Sequence, residues 1–313
     1  MAGSPIHTTS DTGWKAELAA FFDTRGETAS TEPSLEELCY IAGRDPRLWR
    51  DEALLDDLKR DIVHRMQAST ASRVLEVGCA GGFLARLVAT EVAEYVGIDL
   101  APGAVATARR LALTNATFEV ADGERLPFAD ASFDAAFCYD VYTNFPTFED
   151  GVPLIVEMLR VVRPGGRVLV GSLPDRAKTA DLPKRVAEIA ADLERRQGPL
   201  PPPPLQPACV GKVGTGKAEP KLVAPTWRQA PALLDRLLQM AGWAPRDSVR
   251  PSQTSAAPNA PALTPRIVTY EFARDDFVAL AARLGAKVEL SEIHDRNPYK
   301  GYRFNAIYWR EAG

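Results

Sequence analysis

The run Val74-Leu75-Glu76-Val77-Gly78-Cys79-Ala80-Gly81-Gly82-Phe83 constrains this chain more than any other stretch. An apolar strand there ends in an acid and breaks into small residues that open a helix. Glycines let a backbone approach a ligand closely, and a freshly started helix presents unpaired N–H groups to it. The segment therefore predicts a site for something polar and nucleotide-like. It is not the dinucleotide pattern G-x-G-x-x-G, because Ala80 and Phe83 stand where glycines are needed. Nor is it a P-loop, since no Gly-Lys-Ser/Thr follows.

Downstream, strand and helix patterns alternate. Residues 95–98 read as a second strand ending at Asp99, 21 residues after Gly78, where a carboxylate can accept both hydroxyls of a ribose. Asp99 can equally cap the helix predicted over 101–112. A third strand over 116–120 delivers Asp122 and Gly123, an acid-glycine pair that also suits a plain turn. Residues 133–139 make a fourth strand, and LRVVRPGGRVLVG over 159–171 reads as a helix end, a Pro-Gly-Gly turn and a fifth strand.

In this order, over about residues 71–175, the chain resembles the class I S-adenosylmethionine-dependent methyltransferases, with weaker similarity near the C-terminus. Glu76, Gly78 and Gly82 fall on the family's first motif, and Ala80 replaces its usual middle glycine by adding one methyl group. The resemblance implies S-adenosylmethionine as cofactor and S-adenosylhomocysteine as product. It places Glu76, Gly78, Cys79, Ala80 and Gly82 beside the cofactor, Asp99 and Leu100 at its ribose, Asp122 and Gly123 at its adenine, and Tyr139 at the end of the fourth strand. It also implies a doubly wound, Rossmann-like α/β sheet of seven strands, the last antiparallel, carrying ligands at the carboxyl ends of its strands.

That rule locates the acceptor at the ends of strands four and six. Asp140, Tyr142 and Asn144 follow the fourth strand with Tyr139, and His294, Asn297 and Tyr299 follow the sixth. His294, one of three histidines, is the first candidate for a general base. Asp140 is the competing base, or a binder of a substrate cation. Asn297-Pro298-Tyr299 is similar to a tripeptide of some amino-methyltransferases, but theirs follows the fourth strand, so here it reads as a turn with Tyr299 over the pocket mouth. Tyr40, with Leu38 and Trp49, precedes the first motif and belongs to the pocket or to the core.

Residues 1–30 are mostly polar and small, with Trp14, Phe21 and Phe22 as the large anchors, and read as a tail or a short docked helix. A helical cap is expected over 31–70: Ser34 and Glu37 form a capping box, and Leu54, Leu58, Ile62 and Met66 recur every fourth residue between about 51 and 67. The cofactor-binding core spans 71–175, and 176–265 is an insertion with a helix to 197 followed by a Pro-rich stretch. Residues 198–265 hold 14 of the 25 prolines, which excludes a packed helix or central strand over most of that stretch, a short helix at 230–241 excepted. The catalytic domain resumes over 266–313, with Asp275 capping a helix closed by Gly285 and strands over 287–294 and 302–309.

With 46% hydrophobic and 25% charged residues over 313 positions, the chain reads as an ordinary globular domain with embellishments. A net charge of −4 argues against general nucleic-acid affinity, which needs an excess of Lys and Arg. No apolar run nears the ~20 residues of a membrane span, and residues 1–13 lack the apolar core of a signal peptide, so a cytoplasmic location is expected. Cysteines 39, 79, 138 and 209 lack the spacing of a zinc site, and nothing after the fourth strand demands a metal. The expected activity is in-line methyl transfer to an oxygen or nitrogen of a small molecule. A methyltransferase for protein or RNA, with the Pro-rich insertion as docking arm, and a non-catalytic cofactor-binding protein are the alternatives.

Overall fold

A computed structural model describes residues 13–201 and 271–312. Seven strands form one sheet: β1 (Arg73–Val77), β2 (Glu94–Asp99), β3 (Ala116–Val120), β4 (Phe133–Tyr139), β5 (Val162–Pro174), β6 (Lys287–Glu292) and β7 (Arg303–Trp309). Their order is β3-β2-β1-β4-β5-β7-β6. Strands β1 to β5 pair in parallel, and β7 runs antiparallel between β5 and β6. The expected seven-stranded sheet is thus present, its last strand reversed. Because β1 is flanked by β2 on one side and β4 on the other, the chain's winding reverses there and opens a crevice at the carboxyl ends of β1 and β4.

Helices cover both faces. Helix α4 (Glu52–Met66) begins where the Asp51 side chain accepts the N–H groups of Ala53 and Leu54, and ends at Gln67 in the left-handed region. Its stripe of Leu54, Leu58, Ile62 and Met66 is buried against the sheet, each side chain contributing on the order of 2 kcal/mol. Helix α2 (Leu35–Ile41) starts with the full capping box of Ser34 and Glu37. A one-turn helix, α3 (Pro46–Trp49), leads into α4, and α5 (Ala85–Val88) and α6 (Pro102–Arg110) follow β1 and β2. On the opposite face lie α7 (Val152–Val161) and α9 (Arg274–Leu284), while α8 (Leu182–Gln197) follows β5.

One open alternative is decided and two local expectations are corrected. Residues 13–27 are not a tail but helix α1 (Gly13–Glu27), seated on α6 so closely that a Cβ on Gly26 would lie 2.2 Å from the carbonyl carbon of Gly103. The Pro-Gly-Gly segment is no free turn. It stays within β5 as an irregularity that shifts the register against β4, with Gly165 at φ +82° donating its N–H to Arg310 O. Asp275 does not cap α9. The cap residue is Ala273, and Asp275 lies in the first turn, where its charge suits the helix dipole. Gly285 closes the helix at φ +62° as expected. The helix expected at 230–241 and nearly all of the Pro-rich stretch lie outside the described residues.

Candidate active site

The turn after β1 spends its N–H groups on the protein itself. Gly78 and Cys79 both donate to Ile98 O, at 2.8 and 2.9 Å, Ala80 donates to Asp99 Oδ2 at 2.8 Å, and Gly82 donates to Cys79 O. Helix α5 starts only at Ala85. The expected cradle of free helix-terminal N–H groups is therefore absent at these four positions. An anion such as a pyrophosphate finds little to hold there, whereas a neutral or cationic nucleoside does not need those donors. Gly82, at φ +88°, serves packing: a Cβ would lie 2.6 Å from Leu111 Cδ1, and the residue does not line the cavity described next.

That cavity encloses about 930 Å³ including its open mouth. Glu76, Gly78, Cys79 and Ala80 form one wall, Asp99 and Leu100 the next, then Asp122 and Gly123, and finally Tyr139, Asp140 and Asn144. Eleven sequence-predicted residues are thus brought together by the carboxyl ends of β1 to β4. Asp99 accepts Ala101 N–H at 3.0 Å on Oδ1 and Ala80 N–H on Oδ2 while lining the cavity; it is not the expected cap of α6, whose cap residue is Ala101. Each oxygen keeps a lone pair for a ligand hydroxyl. Burial raises its carboxyl above the ordinary value, against the pull of backbone N–H groups at Ala101, Ala80 and Leu100. Burial pushes the Glu76 carboxyl up to about 8, opposed by the Tyr95 hydroxyl that donates to it and by the Arg44 charge. Burial likewise raises the Cys79 thiol, which leaves it an inert small wall residue.

Asp140 sits at φ +60°, an uncommon conformation for a side-chain-bearing residue. Its carboxylate lies between Arg44 Nη2 at 2.9 Å and Arg303 Nη1 at 2.6 Å. Ser172, also left-handed at φ +62°, places its hydroxyl 2.9 Å from the same Arg303 nitrogen. Each oxygen of Asp140 thus has one guanidinium partner, and the two ion pairs fix the carboxylate in place. The Arg44 guanidinium in turn lies 4.9 Å from the Phe83 ring centre and 5.2 Å from that of Trp49.

Besides Gly82, five predicted site residues fall elsewhere. Tyr142 is fully buried among Phe145, Phe148, Phe272 and Phe277, its hydroxyl donating to Phe148 O at 2.7 Å, which makes it core. Asn297 is buried and closes its own turn by accepting Tyr299 N–H. Tyr299 packs on Leu182 and Val186 of α8, with the Arg303 guanidinium over its ring. The ring of Tyr40 stacks on the Arg25 guanidinium, and its carbonyl accepts from the same group. His294 lies past β6 near Asp61, Asp57 and Arg65, with neither ring nitrogen hydrogen-bonded, and burial lowers its pKa. None of the five lines the cavity.

Sequence reasoning missed the roof. Trp14, Lys15, Leu18 and Phe22 of α1 close over the cavity, and Arg44 and Phe83 complete it near Glu76. The i, i+4 spacing of Trp14, Leu18 and Phe22 was a readable signal, whereas Arg44 in its Gly-Arg-Asp-Pro loop carried none. Five carboxyl groups line the space (Glu76, Asp99, Asp122, Glu124 and Asp140) against the basic side chains Lys15 and Arg44. A site whose turn N–H groups are spent on the protein does not select an anion, and a nucleoside without phosphate fits it. Among the described residues no group of His, Cys, Asp or Glu is placed to hold a metal ion. No helix among them is long and apolar enough to cross a membrane.

The strand order, the reversed β7 and this site define the chain's class: it carries a domain of the class I S-adenosylmethionine-dependent methyltransferases. The profile of the methyltransferase-domain family matches residues 75–170, which run from β1 into β5. The O-methyltransferase cnsE of Penicillium expansum is 30% identical over 166 residues, covering 50% of this chain and 55% of that protein. The demethylmenaquinone methyltransferase of Beutenbergia cavernae is 36% identical over 124 residues, covering 40% of this chain and 46% of the relative. The chain thus spans about half the length of the curated relatives it matches. Among solved structures, the DhpI–SAM–HEP complex superposes with a TM-score of 0.51 at 16% identity, covering 96% of this chain and 99% of that one, a likeness of fold.

Proposed function

We propose that this chain transfers a methyl group from S-adenosylmethionine to an oxygen or nitrogen of a small molecule. The observation that carries the reading is Asp99 at the end of β2, lining the cavity with one lone pair of each oxygen taken by the N–H groups of Ala80 and Ala101 and one left for a ribose hydroxyl. Asp122 and Gly123 would take the adenine, Leu100 would flank the ribose, and Glu76 with Gly78 and Ala80 would face the amino-acid end. When bound, the cofactor supplies an electrophilic methyl group. What the protein's residues do is align: the walls fix the nucleoside, Asp140 is held rigid between two arginines, and α1 excludes water. Alignment of this kind is worth roughly 7–11 kcal/mol in favourable cases, against about 3–5 kcal/mol from a general base. Supporting a small acceptor are the roofed cavity and relatives whose names specify O-methyl and quinone-methyl transfer.

Titration of the purified chain with S-adenosylmethionine and S-adenosylhomocysteine is the first test, followed by methyl-labelled cofactor with metabolite extract and mass spectrometry of the labelled product. Absence of binding to either compound removes the reading. Label appearing only in protein or RNA would replace the small acceptor by a macromolecule.

His294→Ala is expected to leave turnover within about twofold of the wild type, because the imidazole lies off the cavity, whereas loss of a general base costs about 100-fold or more. A 100-fold fall in kcat with unchanged KM would restore the histidine as base.

A further inference from the structure

Helix α1 roofs the cavity, and its two ends are fastened by different means. The C-terminal end is locked to α6 by close backbone approach and by hydrogen bonds to backbone groups: Gly26 meets Gly103 too closely for any side chain, Thr107 Oγ1 donates to Gly26 O at 3.0 Å, and the Asp23 side chain accepts the N–H of Gly103. The N-terminal end is fastened by side chains. The Trp14 ring lies 5.3 Å from that of Phe145, and Lys15 Nζ is 2.8 Å from both Asp122 Oδ2 and Glu124 Oε2. Lys15 and its two partners are part-exposed, at 22%, 40% and 24%, so salt can reach these ion pairs. Asp122 has its other oxygen engaged too, Oδ1 accepting Glu124 N–H at 3.0 Å. The carboxylate assigned to the adenine amino group is therefore already tied to the roof.

We propose that Lys15 is a latch and a cofactor-positioning residue. It ties the N-terminal end of α1 across the adenine end of the cavity, and the cofactor enters and leaves when Lys15 lets go of Asp122 and Glu124, with α1 pivoting at Gly26. In the bound state the ammonium and the adenine amino group share the lone pairs of Asp122, and the latch holds the base in place. This inference rests on the cofactor reading above.

The test is stopped-flow binding of S-adenosylhomocysteine to the full chain, as wild type, Lys15→Met and Lys15→Arg. Lys15→Met is expected to release the ligand about tenfold faster and to admit it severalfold faster, while Lys15→Arg stays near the wild type. Raising NaCl from about 0.05 to 0.5 M should speed release from the wild type and leave Lys15→Met unchanged, a readout that a purely structural lysine would not move. Should Lys15→Met fail to fold by circular dichroism, Glu124→Gln removes one of the two ion pairs and is expected to give an intermediate acceleration. Release rates within twofold of the wild type, with the same salt dependence, overturn the latch. No binding by the wild type overturns the cofactor reading instead, so the two failures are distinguishable.

Discussion

Asp99→Ala is expected to weaken binding of S-adenosylmethionine and its demethylated product by about 100-fold or more, read by titration calorimetry. Two ribose hydroxyls donating to a charged acceptor are each worth roughly 1.5–3 kcal/mol, and 1.4 kcal/mol is a factor of ten in affinity. The same change frees the N–H groups of Ala80 and Ala101, so the turn after β1 and the segment leading into α6 loosen together. Leaving each of those two N–H groups without its acceptor costs about 1–3 kcal/mol of stability. A thermal melt therefore separates the two effects: a folded variant with lost affinity supports the ribose contact. Affinity within threefold of the wild type in a folded variant would remove Asp99 from the cofactor.

Tyr142→Ala is expected to cost about 3–5 kcal/mol of stability, read by denaturant unfolding of the full chain. The ring is fully buried and touches four phenylalanines drawn from the loop after β4, the approach to α7, and α9 with the residue leading into it. Its removal opens a cavity where those segments meet, and the structure can collapse around it only in part. Tyr142→Phe keeps the ring and loses only the hydrogen bond to Phe148 O, at a cost of about 1 kcal/mol. If Tyr142→Ala instead unfolds like the wild type and loses only acceptor turnover, the ring belongs to the pocket after all.

Tyr142 and His294 show where sequence logic stopped. Both were assigned to the acceptor because each lies at or after the end of a strand, and parallel strands do present their carboxyl ends to a ligand. For β4 the rule holds for Tyr139, Asp140 and Asn144, yet two residues past Asp140 the chain turns inward and Tyr142 becomes core. For β6 the rule fails because of sheet order. With β5 and β7 between them, β6 lies three strand spacings from β4, about 14 Å away, so His294 cannot reach the same cavity wall. The alternation of hydrophobic segments shows that a strand is present but not which neighbour it takes.

Local chemistry determined a good deal by itself. The apolar runs, the glycines and the acids after β1, β2 and β3 specified where the parallel strands lie along the chain and three of the four cavity walls, because a short turn at a strand end leaves its side chains few directions to point. The capping box at Ser34 and the α4 stripe were equally legible, since their periods and partners lie within a few residues. Only tertiary structure decided the roof and the clamp. Lys15 meets Asp122 across 107 positions and Arg303 meets Asp140 across 163, and contacts so distant in sequence depend on where the assembled sheet and helices deliver each side chain.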